Sequence, residues 1–412
     1  MTVHVIGAGI AGMVAALALA RAGHAVALHD AAPVAGGRCR ALPDGTDNGT
    51  HALMGANHAA LRFLDAIGAR GGWVEPEPDG LPLFDLADGS ARRIATAPLA
   101  WRDPARRPPG LTAGGMLALL GMAAGVTDKP VAAAMAKHPA LLRGFVEPLT
   151  VAALNTPAAE ASSARLGQVL RRLGGSGAAR LLVARDGLGP DLIAPALAAL
   201  EAAGVTLHLG ARLRALTSAE GRAVALHLGA ATITLGSDDA VILALPPWEA
   251  ARLITGLRVP DQHAPILNLH FAHAGTGAVR FLGVLGGLVQ WVLVRPTGIS
   301  VTVSAADAET DEAVETLAPR AWAEIRAVAA AFALPGPWPD ATPACRVVKE
   351  RRATPRHTVG IPPVAPRQPL GNLALAGDWT WTALPATIEA AALSGEAAAG
   401  VIGKIAQRRP RR

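Results

Sequence analysis

Gly7, Gly9 and Gly12 fall at the spacing Gly-x-Gly-x-x-Gly between a short apolar run, residues 3–6, and an alanine-rich run, residues 13–21. In that setting the pattern is a nucleotide-binding turn. The first glycine permits the tight bend, the second lets a pyrophosphate meet the backbone, and the third lets helix and strand pack closely. The following helix presents its positive N-terminal end to the phosphates. Asp30 ends the next apolar run 18 residues after Gly12, near the spacing at which a carboxylate accepts from ribose hydroxyls. Gly36-Gly37-Arg38 follows at once. Adjacent glycines give a second close approach to a pyrophosphate, and a guanidinium pairs with it. A nicotinamide enzyme has no need of this extension, so the residues predict FAD.

A matching set stands near the other end. Residues 373–376 read as a strand running into Gly377-Asp378. Asp378 is placed to serve the ribityl or phosphate region. A loop then leads through Leu384-Pro385-Ala386 to Thr387 and Ile388, which open an alanine-rich helix. The positive end of that helix is expected to face the flavin ring and to stabilise negative charge at N1 and O2 of the reduced form. Cys345 lies 32 residues before Gly377, so no cysteine is placed for covalent attachment, and FAD is expected to be held non-covalently.

These residues need a scaffold of strands and helices in a definite order. Residues 3–6, 13–21 and 25–29 read as a βαβ opening. Strand signals return at 205–209, 240–245 and 372–376. If these join the first sheet, the fold class is α/β: a discontinuous Rossmann-type FAD-binding domain with an inserted α+β substrate domain. The FAD-binding domain is then 1–71, 185–255 and 366–412, and the substrate domain is 72–184 and 256–365. The segment 72–184 reads mainly as helices. The segment 256–365 mixes strands, at 266–271 and 289–294, with a helix over 311–332.

A chain of 412 residues has length enough for two or three domains. Hydrophobic residues make up 51% and charged ones 17%, yet no apolar run reaches the roughly 18 residues of a membrane span. Residues 111–126 are too short to span and too uniformly apolar for an ordinary surface helix. A buried core helix, a tunnel wall and a monotopic membrane contact all remain open for them. The chain enters a strand at once, without signal-peptide features, so a cytoplasmic location is expected, peripheral to the membrane's inner face if such a contact exists. The formal net charge is only +6. Part of it sits in Lys404, Arg408, Arg409, Arg411 and Arg412, a solvated end or an anionic-membrane contact. Basic residues are otherwise scattered and tyrosine is absent, which argues against nucleic-acid binding. Cys39 and Cys345 are too few and too far apart for a metal knuckle, so reduced thiols and no metal are expected.

Taken together, the Gly7 turn, the stretch from Asp30 to Arg38 and Gly377-Asp378 resemble the amine oxidase and phytoene desaturase superfamily of flavoproteins. Three stretches resemble its squalene-associated branch, the hydroxysqualene dehydroxylases of hopanoid biosynthesis. They are Asp47-Asn48-Gly49-Thr50-His51-Ala52-Leu53-Met54-Gly55, the Phe145 to Pro157 stretch with Glu147-Pro148-Leu149 and Ala153-Leu154-Asn155-Thr156, and Ala376-Gly377-Asp378-Trp379 with Leu384 to Glu389. Asp30 stands where the family usually has Glu, Thr50 where Gln is common, and Ala383 and Ala390 where Gly is expected.

The resemblance implies an amine oxidase-like fold and a C30 isoprenoid substrate, hydroxysqualene, whose hydroxyl is removed to give squalene and water. Reduced FAD is the hydride source. An external electron donor is implied, because no second Gly-x-Gly-x-x-Gly unit is present to hold NAD(P)H. Ionisation of an allylic C–O bond needs an acid near the oxygen. His51 and Glu147 are the candidates, against rival readings as a loop residue over the flavin edge and a helix-start carboxylate. The alternative functions are a carotenoid-type desaturase, a flavin amine oxidase and a non-catalytic isoprenoid carrier.

Overall fold

The computed structural model describes residues 1–275, 277–360 and 365–407; the expected basic tail at Arg408, Arg409, Arg411 and Arg412 lies outside the described residues. At its centre is a five-stranded parallel sheet in the spatial order Leu373–Leu375, Ala240–Leu243, Thr2–Ile6, Ala25–His29, Thr206–His208. Numbered along the chain this is 5-4-1-2-3, the doubly wound order whose direction reverses beside the first strand. The strands Ala240–Leu243 and Leu373–Leu375 are short apolar runs buried throughout, as a parallel sheet covered on both faces requires, while Thr206–His208 at the edge is exposed. All three expected late strands thus join the first sheet.

Helix Ile10–Arg21 connects the first two strands, and helix Ile388–Gln407 packs across it. Their close approach depends on Gly395, where a Cβ would stand 2.4 Å from the Ala11 carbonyl oxygen.

The second layer is a seven-stranded sheet, mostly antiparallel, in the order Cys345–Pro355, His263–Phe271, Gly298–Ser304, Trp291–Arg295, Arg280–Leu285, Leu81–Asp85, Ser90–Ile94. Helix Val314–Ala331 covers it, with Trp322 and Ile325 in the core between. The segment 72–184 is mainly helical, as expected, but the last two strands lie within it and were not expected. They form a hairpin whose turn is fixed locally: Asp85 Oδ1 accepts from the Ala87 amide, Asp88 Oδ1 accepts from the Ser90 amide, and Gly89 has φ +69°. Helices Ala113–Ala124, Glu147–Leu154 and Ser163–Leu173 form a separate apolar cluster with Leu119, Met122, Leu154 and Leu166.

Two polar junctions bind these parts together. Arg295 Nη1 donates to Asp47 Oδ2 at 3.0 Å with both side chains buried, and Asp47 Oδ1 also accepts from the Leu188 amide. Asn155 ends helix Glu147–Leu154 in the left-handed region at φ 47°, where Asn is among the few tolerated side chains. Its Nδ2 donates to the Ala264 carbonyl and to Thr354 Oγ1, and its Oδ1 accepts from the Ala305 amide.

Candidate functional site

The three glycines of the first turn have different reasons to be glycine. Gly7 has φ +110°, and a Cβ there would lie 2.3 Å from the Ala244 carbonyl oxygen. At Gly12 a Cβ would lie 1.8 Å from the Gly7 carbonyl oxygen. Both are dictated by the packing of the chain itself. Gly9 is not: its φ is −78° and the nearest atom to a Cβ is Gly37 Cα at 3.9 Å. Nothing in the protein fills the space in front of it.

Gly9 also precedes a helix whose first residues, Ile10, Ala11 and Gly12, are buried, with no side-chain cap and no acid in the first turn. A buried, uncapped N-terminus is a ready anion site. The second turn abuts the first, with the Gly36 amide donating to the Ala8 carbonyl at 2.8 Å. Gly36 and Gly37 have φ +111° and +56°.

Asp30 closes this cradle from the strand side. Its Oδ2 accepts from the Ala8 amide at 2.6 Å and its Oδ1 from the Ala32 amide at 2.7 Å. The carboxylate therefore holds the glycine turn as well as standing where a ribose is expected.

Arg38 reaches out of the second turn to the C-terminal motif. Its Nη2 donates to Asp378 Oδ2 at 2.7 Å and its Nη1 to the Ala353 carbonyl at 2.5 Å. The Asp378 charge raises the Arg38 pKa further above its usual value. Asp378 Oδ1 accepts from the Trp379 amide. Gly377 has φ +136° and its amide donates to Ser394 Oγ, locking the strand end to the last helix. Thr387 caps that helix, its Oγ1 accepting from the Ala390 amide at 3.2 Å. Ile388 points into the core of the first sheet. These two residues hold the helix end in place.

His51 follows the strand-side loop tied down by Asp47. Its Nδ1 lies 3.0 Å from the Gly49 carbonyl. Burial opposes a charge on His51, but the Cys39 sulfur, the Gly49 carbonyl and Asp47 favour one, and the imidazole is raised to about 9. Cys39 is buried one residue after Arg38, so His51 belongs to the neighbourhood of the second glycine turn. Glu147 is exposed at the start of helix Glu147–Leu154 and has no partner among the described residues.

Sequence reasoning missed a third group. A cavity of about 180 Å³ is lined by Arg165, His357, Asp378, Trp379, Trp381 and Leu384, among others. His357 Nε2 accepts from the Ala386 amide at 3.1 Å, so the ring is neutral. Burial pushes its pKa down to about 3, with Arg165 adding and Asp378 opposing. Trp381 Nε1 and Thr50 Oγ1 are buried without a partner, as polar atoms are where a ligand completes them. A lone His in a loop carries no motif, and only its folded neighbours mark it.

The open space at Gly9, the uncapped helix end and the orphaned Trp381 nitrogen fit a dinucleotide lying from the first turn toward the C-terminal motif. Fold and site are those of a flavoprotein of the amine oxidase type, and the family model for flavin containing amine oxidoreductases matches residues 10–403. Cyclohexylamine oxidase from Brevibacterium oxydans superimposes with a TM-score of 0.73 at 17% identity, covering 99% of each chain. Closer in sequence is the hydroxysqualene dehydroxylase of Rhodopseudomonas palustris, 41% identical over 97% of this chain and 98% of the relative. That of Sinorhizobium fredii is 36% identical over 96% and 97%. The chain belongs to the hydroxysqualene dehydroxylases, within the family of flavin containing amine oxidoreductases. It is an FAD-dependent oxidoreductase.

Proposed function

We propose that this protein removes the hydroxyl of hydroxysqualene reductively, giving squalene and water. The likeness to hydroxysqualene dehydroxylases over 97% of the chain carries this reading. FAD, once reduced by an external donor, supplies the hydride. The protein's own residues bind, orient and protonate. Gly9 and Gly37 leave room for the pyrophosphate, with Gly7, Gly12 and Gly36 shaping the turns around it. Asp30 serves the ribose, and Arg38 and Asp378 fix the ribityl and phosphate region. Thr387 and Ile388 hold the helix end at the flavin ring.

His51, protonated at neutral pH, gives its proton to the departing hydroxyl oxygen, so that the C–O bond breaks to release water as the hydride arrives at carbon. The proton and hydride together balance the two-electron reduction. Glu147 is the second candidate acid. The discontinuous division at residues 71, 184, 255 and 365 separates cofactor-holding from substrate-holding segments in this reading, and the substrate is taken up from a membrane.

The test is incubation of the reduced holoprotein with hydroxysqualene, followed by mass analysis of the extracted lipid. Squalene is the expected product. A more unsaturated product, formed only when the oxidised holoprotein is used in parallel, would establish a desaturase instead, and lipid bound but unchanged with either form would establish a carrier. His51→Gln should abolish product while keeping FAD; if Glu147→Gln does so instead, the acid is Glu147.

A further inference from the structure

Helix Ala113–Ala124 is apolar on both faces. Its inner face packs Leu119 and Met122 into a core with Leu166. The contact is close because Gly167 lies against the helix: a Cβ there would stand 1.9 Å from the Met122 carbonyl oxygen. The outer face carries Ala113, Gly114, Leu117, Leu120, Gly121 and Ala124, all exposed. Leu117 is 69% exposed, Leu120 57%, and Val126 just beyond the helix 77%. Leu99 is 77% exposed, and its neighbour Trp101 packs against the same apolar cluster. Four of the nine exposed large apolar side chains among the described residues thus gather on this one side. Exposed apolar patches rimmed by polar residues mark interaction surfaces.

The charge around the patch indicates its partner. Between residues 98 and 138 the basic residues are Arg102, Arg106, Arg107, Lys129 and Lys137, against only Asp103 and Asp128. Arg102, Arg107 and Lys137 make no ion pair among the described residues, and Asp128 is already engaged with Ser162 Oγ. A second copy of the chain would meet the same positive rim. An anionic bilayer surface complements it, and an apolar helix face flanked by Lys and Arg is the pattern of interfacial binding. No helix among the described residues is long and apolar enough to cross a membrane, so the contact lies in the surface plane. Helix Ser163–Leu173, packed directly beneath, carries Arg165 into the cavity that holds Asp378 and Trp381. The apolar face is therefore one helix away from the site.

We propose that helix Ala113–Ala124, with Leu99 and Val126, docks the protein onto anionic membrane, with Leu117 and Leu120 entering the lipid and Arg102 and Arg107 meeting headgroup phosphates. This rests on the dehydroxylase reading only for its purpose, delivery of a lipid substrate; the surface itself is tested without substrate.

The holoprotein is sedimented with vesicles of phosphatidylcholine containing phosphatidylglycerol, and with vesicles of phosphatidylcholine alone. Binding is expected to the former and to fall with added salt. Leu117→Glu with Leu120→Glu should weaken it on the order of a hundredfold, and Arg102→Glu with Arg107→Glu by at least tenfold. Turnover of hydroxysqualene presented in detergent should be unchanged in both double variants, which also shows that they fold. Wild-type protein left in the supernatant, or a leucine double variant that binds as wild type does, would overturn the proposal. So would a dimer in solution that the leucine substitutions dissociate, since a second copy would then cover the face. Failure of the dehydroxylase reading shows separately, as wild-type protein that binds vesicles yet forms no squalene in detergent.

Discussion

Arg38 and Asp378 stand 340 positions apart in the chain and meet at 2.7 Å. The pair joins the second glycine turn to the C-terminal motif, adding a direct ionic contact between the two halves of the cofactor site to the shared sheet and the helix packing that already unite them. Asp378 is nearly buried and Arg38 partly open, a geometry in which losing one partner costs more than the pair contributes.

Asp378→Ala should weaken FAD binding by about ten- to a hundredfold, the loss of one charged hydrogen bond at about 1.5–3 kcal/mol. Because the two residues act through each other, Arg38→Ala combined with Asp378→Ala should be less damaging than the sum of the singles. Titration of the apoproteins with FAD measures this. Strict additivity would mean that each residue contacts the cofactor independently. With FAD in excess, turnover of Asp378→Ala should largely recover.

The glycines of the first turn should separate folding from binding. Gly12→Ala sets a Cβ 1.8 Å from a backbone oxygen and should destabilise the apoprotein by several kcal/mol, on the order of a severe overpacking change. Gly9→Ala, with 3.9 Å of clearance, should leave the apoprotein melting point within a few degrees of wild type while reducing FAD content. Gly9→Val should abolish it. Calorimetry of the apoproteins alongside flavin absorbance tests both halves. Full FAD content in Gly9→Val would make the turn purely structural.

His51 should titrate with activity. An acid works only while protonated, so turnover should fall as pH rises through about 9, the raised value set against burial by Cys39, Gly49 and Asp47. Removing the sulfur in Cys39→Ala withdraws one of the groups favouring the charge, so the alkaline limb of the profile should move to lower pH. A profile unchanged in Cys39→Ala, or one with no alkaline limb, would remove His51 from the reaction.

Acid should loosen the cofactor sheet. His4, His29 and His208 lie side by side on three adjacent strands, His29 stacked on His208 and tilted against His4, and His29 is pushed down to about 4, first by burial and then by His208 and His4. In the unfolded chain His29 binds its proton near 6.5. Between 6.5 and about 4 the unfolded state therefore holds the extra proton, and stability falls as pH drops through this window. The full gap amounts to roughly 3 kcal/mol. Denaturant unfolding at a series of pH values should show that slope, and His29→Gln should flatten it. An unchanged slope in the variant would assign the acid sensitivity elsewhere.

Local spacing was enough to make the cofactor end of the molecule legible. Gly7, Gly9 and Gly12, Asp30, and Gly377-Asp378 each lie within a few residues of the strand or helix that presents them, and a turn between strand and helix is a short-range event. Buried parallel strands announce themselves as apolar runs, so residues 240–243 and 373–375 were readable too. The hairpin Leu81–Asp85 and Ser90–Ile94 was not, because half of its pattern is set by the sheet it joins.

Amino-acid order by itself thus determined the cofactor, the first βαβ unit and the family likeness. Only the tertiary structure decided which glycines answer to the protein and which to a ligand, that Arg38 pairs with Asp378, that His357 enters the cavity beside Trp381, and that Glu147 is exposed. It also decided that helix Ala113–Ala124 is exposed on its apolar outer face. Each of these depends on segments tens to hundreds of residues apart being packed together, and side-chain partners at that range are fixed by the shape of the whole core rather than by any local period.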